Sequence, residues 1–131
     1  MSHFTTIRTM IRNQLTLEET LKELHYTYRS EESIRIRGYQ GQNAHGQVVV
    51  DTGSSYDIGF QRQSDQTYAV CSDWWGVENN TSIRQVEFLR SLNQTYTIRT
   101  VRQQVLEAGH LIECEQLLEN GQFQIVVCER E

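Results

Sequence analysis

The chain has 131 residues, of which 37% are hydrophobic and 22% charged, and a formal net charge of −5. That length suits one domain burying about two-thirds of its unfolded surface, and the acid excess argues against general affinity for nucleic acid or an anionic membrane. No run approaches the roughly 18 apolar residues of a membrane span, and Met1-Ser2-His3-Phe4 lacks the charged and apolar parts of a secretory signal, so a cytoplasmic protein is expected, with Cys71, Cys114 and Cys128 reduced.

A first strand is read from Ser2 to Arg12, where Phe4, Thr5, Thr6, Ile7 and Thr9 supply β-branched and aromatic character. Thr16 and Glu19 then stand at capping-box spacing, ahead of Leu17, Leu21 and Leu24, which predicts a short amphipathic helix from Leu17 to His25. Ile34-Arg35-Ile36-Arg37 alternates strictly and marks a strand with one cationic edge. From Tyr26 to Gln42 three arginines and three tyrosines interleave, a composition that can stack bases, but Glu31 and Glu32 beside them and the negative total favour a half-exposed strand. Gly38, Gly41 and Gly46 surround Asn43 and His45 without a following helix signal, so they predict a mobile loop and not a nucleotide fingerprint. Val48, Val49 and Val50 form the next strand, closed by turn residues from Asp51 to Ser54.

Two further strands, Tyr56–Arg62 and Thr67–Trp75, predict a hairpin. An even-length loop around Gln63–Gln66 sets Phe60 against Ala69, Ile58 against Cys71 and Tyr56 against Asp73, with Ile58, Phe60, Ala69 and Cys71 inward. An odd loop sets Phe60 against Val70; the even one separates apolar from polar more cleanly and is preferred. Ser82 with Gln85 is again capping-box spacing. The stripe Ile83, Val86, Leu89, Leu92 falls out of phase with Ile98, Val101 and Val105, which predicts two helices or one bent helix up to Ala108, stopped by Gly109 in the left-handed region. Asn120-Gly121 signals a two-residue hairpin turn, pairing Leu118 with Phe123 and Cys114 with Val127. Cys114 and Cys128 then point to opposite sides of the hairpin and form no disulfide. The expected fold is α+β: one domain over residues 1–131, an antiparallel sheet with two or three helices mainly on one face, in the order β-α-β-β-β-β-α-α-β-β.

For chemistry the chain offers little. His3, His25, His45 and His110 lie on separate elements without HxxxH or HExxH spacing, and the cysteines lack zinc spacing, so no metal or other cofactor is expected. No GxSxG or Walker loop is present, and Cys71 on a core-facing strand reads as a small hydrophobe. Attention falls on Tyr56, Asp57, Asp73, Trp74 and Trp75 as candidate binding residues. In the preferred register Asp57 and Asp73 point to opposite faces and do not act as a pair. Adjacent strand residues face oppositely, so Trp74 and Trp75 cannot both enter one layer, and one of them is available as a binding anchor.

The opening Met1-Ser2-His3-Phe4-Thr5-Thr6-Ile7, then Tyr56-Asp57-Ile58-Gly59-Phe60, Asp73-Trp74-Trp75-Gly76-Val77, Asn93-Gln94-Thr95-Tyr96 and the closing hairpin occur in that order. Together they resemble the hypothetical chloroplast open reading frame thirty-five family, small proteins of cyanobacteria, some plastids and scattered other bacteria. The finish, Cys128-Glu129-Arg130-Glu131, departs from more basic or aromatic ends. The resemblance implies a cytoplasmic or stromal protein and carries no catalytic residues. Two functional readings follow. One is a non-enzymatic adaptor that binds a protein partner through the exposed tryptophan and a sheet edge. The other is a small-ligand or catalytic domain with a cleft at Asp57, Asp73 and His45. RNA binding through Arg35, Arg37 and Tyr39 ranks third.

Overall fold

A computed structural model of the chain describes residues 3–39 and 43–129. In chain order it forms β1 (Thr5–Arg8), α1 (Gln14–Glu23), β2 (Thr27–Ile36), β3 (Ala44–Asp51), β4 (Asp57–Arg62), β5 (Tyr68–Ser72), α2 (Trp74–Asn80), α3 (Gln85–Glu107), β6 (His110–Leu117) and β7 (Phe123–Glu129). This is the α+β order of element types expected from the sequence, although the second and third helices are α2, where a strand end was expected, and a single α3, where a pair or one bent helix was expected. Five antiparallel strands lie in the order β1-β5-β4-β3-β2, and β6 with β7 makes a separate two-stranded sheet. Of the loop expected from Gly38 to Gly46, residues 40–42 lie outside the described residues, while Ala44, His45 and Gly46 belong to β3.

All three helices cover one face of the five-stranded sheet. Leu17 and Leu21 of α1, Trp74 and Val77 of α2, and Phe88 and Leu92 of α3 pack with Val48, Val50, Ile58, Phe60 and Val70. The central strands are buried on both faces, however, which a one-sided sheet does not predict. Behind the sheet, Ile34, Ile36, Val49 and Cys71 form a second cluster with Phe4 and Ala44 against it. The register of β2 against β3 shifts between Ser30 and Ile34, and beyond the shift β2 folds over the back of the sheet, so that Ile36 lies against the bare Cα of Gly59.

Both predicted hairpin registers are wrong by one residue, for the same reason. In β4–β5 Phe60 stands opposite Val70 and Ile58 opposite Ser72. Ile58, Phe60 and Val70 therefore face the helices, and Ala69 and Cys71 face the back. The connection is a three-residue loop: Gln66 N–H donates to Gln63 O at 3.0 Å, Gln63 N–H to Thr67 O at 2.7 Å, and Gln66 is left-handed at φ 74°. In β6–β7 Leu117 stands opposite Phe123 and Cys114 opposite Val126. Gly121 N–H donates to Leu118 O at 3.0 Å, Leu118 N–H to Gln122 O at 2.7 Å, and Gly121 supplies the left-handed residue at φ 86°. Asn120-Gly121 thus ends a three-residue loop instead of making a two-residue one. A second shift between Ile112 and Cys114 sets Leu111 opposite Cys128. Cys128 and Val126 share a face of β7, so Cys114 and Cys128 lie on the same face of the hairpin, not on opposite ones. Both thiols are free.

Neither capping box forms. Asn13 caps α1, its Oδ1 accepting from Thr16 N–H at 3.0 Å, which starts the helix three residues early and buries Thr16. At α3 the Glu78 carboxylate reaches across from α2 and accepts from Gln85 N–H at 2.8 Å. The phase slip along α3 is resolved without a second helix. Phe88 and Leu92 face the main core, whereas Ile98 and Val101, farther along, line clefts against Phe123 and Ile125 of the terminal hairpin. The stripe changes azimuth because the layer it packs on changes. Gly109 at φ 82° ends the helix as expected.

Candidate functional site

The stretch from Tyr56 to Val77 runs up β4, around the loop, back along β5 and into α2. The strand expected to continue to Trp75 stops at Ser72 because Asp73 caps a helix there: its Oδ1 accepts from Gly76 N–H at 3.1 Å. Trp74 and Trp75 are therefore the first two residues of α2, about 100° apart around its axis. Trp74 is 6% exposed, with its ring 5.7 Å from that of Phe88. Trp75 is 55% exposed. Between them and Val77, Gly76 lies directly against the half-buried ring of Tyr56. Helix α2 is thus pinned on its inner side by Trp74, Gly76 and Val77 while it holds an indole outward.

Asp57 has a different task. Its carboxylate, 2% exposed, accepts from Arg37 N–H at 2.8 Å, from Arg37 Nε at 3.0 and 3.1 Å, and from Nη2 at 2.8 Å. Asp57 N–H donates in return to Arg37 O at 2.9 Å. Nη2 also reaches Asp51 Oδ1 at 3.4 Å. Charge-assisted, two-pronged pairing of this kind fixes orientation as well as energy. Hydrogen bonding to Asp57 raises the Arg37 guanidinium above its already high value, so it stays charged throughout the working pH range. The clasp fastens the end of the folded-over β2 to the start of β4. A cleft of about 300 Å3 beside it is lined by Arg29, Arg37, Val49, Asp51 and Asp57, and includes neither Asp73 nor His45. Had β5 continued by one residue, its register would have set Asp73 beside Asp57; instead one carboxylate holds an arginine and the other a helix start. His45 is exposed on β3. Arg37, the second member of the base-stacking trio proposed with Arg35 and Tyr39, is committed to carboxylates. Among the described residues no group of three or more His, Cys, Asp or Glu side chains is placed to hold a metal, and no helix is long and apolar enough to cross a membrane.

Comparison with known proteins places the chain in a family. The model of the family described as "Protein of unknown function (DUF1257)" matches residues 20–126. The chain belongs to that family. A relative, "Uncharacterized protein ycf35" of Guillardia theta, is 26% identical over 133 residues, covering 97% of this chain and 96% of its own length. No solved structure matches. The DUF1257 segment begins inside α1 and ends inside β7, so it takes in the Arg37–Asp57 clasp, the Asp73 cap and both tryptophans.

Of the three cysteines, Cys71 is the buried one. It is walled in by Ile34, Ile36 and Val49, and burial pushes its thiol up from the ordinary value. A thiol buried in its neutral form stabilises the fold fully below its ordinary pKa, and that contribution is lost as the pH climbs through the raised one. At pH 8 a thiol reagent should modify the exposed Cys114 and Cys128 rapidly and Cys71 only on unfolding. Rapid modification of all three in the folded protein would contradict this packing.

Proposed function

We propose that this DUF1257 protein is a non-enzymatic adaptor that binds a protein partner through Trp75, in the cytoplasm or, in a plastid, the stroma. The observation that supports the reading is an indole held 55% exposed on a helix whose inner side is locked in the core. A large, rigid, amphipathic side chain presented in this way binds with little ordering cost, and tryptophans of this kind dominate interface energetics. The titratable residues nearby support the same reading, because Asp57 and Asp73 are already engaged by Arg37 and by the α2 backbone.

The test is capture of partners from the native host with tagged wild type, Trp75→Phe and Trp75→Ala. Trp75→Ala should keep its circular dichroism spectrum and lose affinity for its partner by about thirtyfold or more, the scale of a tryptophan hot spot. Trp75→Phe should fall between. A folded Trp75→Ala protein that retains every partner of the wild type would rule the proposal out.

A further inference from the structure

The terminal hairpin presents two free sheet edges, and they are not alike. β6 carries a register irregularity between Ile112 and Cys114, together with Glu113 and Glu115, and Glu115 is bridged to Arg102 of α3 at 2.7 Å. Bulges and charges are the devices by which edges are kept from pairing. β7 carries no extra residue, and its one charge is Glu129 at its last position: Phe123-Gln124-Ile125-Val126-Val127-Cys128 has no charge, no proline and no glycine. Val126 and Val127 are each exposed by about two-fifths.

Beside the β7 edge the layer beneath is also open. Thr97, Ile98 and Val101 of α3 face Phe123 and Ile125 across a cleft of about 200 Å3. It adjoins one of about 610 Å3 towards the hairpin tip, lined by Arg90, Gln94 and Leu117 among others. One helix lies over two strands, and an apolar flank of that helix is left uncovered on the side of the unguarded edge.

We propose that β7 pairs antiparallel with β7 of a second copy of this chain, making a four-stranded sheet with two α3 helices side by side on one face. Charge selects this occupant. An isologous contact sets each residue against a symmetry mate, so any charge near the axis would meet itself. Pairing about Val126 sets Ile125 against Val127, Gln124 against Cys128 and Phe123 against Glu129 of the other copy, and no like charges are opposed. The α3 flank of each copy then closes the cleft of the other. This surface is separate from Trp75, so the adaptor reading and the dimer stand or fall independently.

Sedimentation equilibrium over a range of concentrations tests it. Wild type should show a reversible monomer–dimer equilibrium. Val126→Glu places two carboxylates opposite each other at the axis and should raise the dimer dissociation constant at least about tenfold, with an unchanged circular dichroism spectrum because position 126 is exposed. Mixing Val126→Glu with Val126→Lys should restore a dimer that contains one of each. Independently of any variant, amides of Gln124–Cys128 in wild type should exchange more slowly as concentration rises. A wild type that is monomeric at every concentration, or a dimer whose β7 amides and dissociation constant ignore these changes, overturns the proposal; the first result would leave the edge to a different chain.

Discussion

Phe88→Ala is expected to be among the most damaging single truncations in the protein, costing about 3–5 kcal/mol. Phe88 is fully buried at the point where three elements meet on α3. Its ring lies 5.2 Å from Tyr26 in edge-on geometry, 5.7 Å from Trp74 and 6.5 Å from Phe60. Removing it forfeits the transfer energy of a phenyl ring and the contacts of three aromatic neighbours that backbone hydrogen bonding prevents from collapsing inward. On a domain of this size the melting temperature should fall by roughly 10–20 °C. Phe88→Leu, which keeps most of the volume, should cost about 1–2 kcal/mol. Two local readouts belong to the same change. Burial raises the Tyr26 phenol above its ordinary value, and in Phe88→Ala that shift should shrink. Trp74 emission should move to the red while the already exposed Trp75 contributes as before. If Phe88→Ala lost less than about 1 kcal/mol in denaturant titrations, the three-helix layer would not be locked at this ring.

The element order was legible because it rests on periodicity, which survives local error. Ile34–Arg37, the valine run and the leucines at helical spacing each announce their type regardless of neighbours. What failed was local chemistry with several solutions of similar energy. Asn13 and Glu78 outcompeted Thr16 and Ser82 as caps because any suitably placed oxygen can accept an orphan amide. Trp74-Trp75 reads as strand by aromatic propensity, yet Asp73, a strong N-cap, stands immediately before it and turns the chain into α2. The two register slips share a cause: in a three-residue hairpin loop the decisive residue is the left-handed third one. Gly121 carries a signal for that position, although its neighbour Asn120 imitates the two-residue turn. Gln66 carries none, since a non-glycine residue at positive φ is held there by the closed hydrogen bonds around it. At the candidate site the sequence marked Asp57 and the tryptophans as unusual. It could not show Arg37 as the partner of Asp57, because that meeting depends on the shift inside β2 that carries the strand over the sheet.

That clasp yields the second large effect, and its two halves are not equivalent. Arg37→Met should destabilise the fold by about 2–4 kcal/mol, and Asp57→Asn by clearly less. The difference follows from where each charge is left. Asp57 is 2% exposed and takes its donors from Arg37, so without the guanidinium a buried carboxylate keeps only the backbone N–H of residue 37. Arg37 is 45% exposed, so when its partner is neutralised the guanidinium turns to water and to Asp51, which is already 3.4 Å away. Asparagine at 57 can still accept from the backbone amide and from Nε. An Asp57→Asn, Arg37→Met double variant should recover part of the loss of Arg37→Met alone, because it removes the stranded charge as well as the pair. High salt should scarcely change the Arg37→Met penalty, since the carboxylate lies beyond the reach of mobile ions, in contrast to exposed pairs such as Arg90–Glu87. Equal losses in the two single variants, or a double variant worse than either, would show that the pair acts only as packing. The clasp also fastens β2 across the back of the sheet, over Cys71. In Arg37→Met the thiol of Cys71 should therefore become reactive at denaturant concentrations below those that unfold the helices, separating the opening of the back layer from loss of the core.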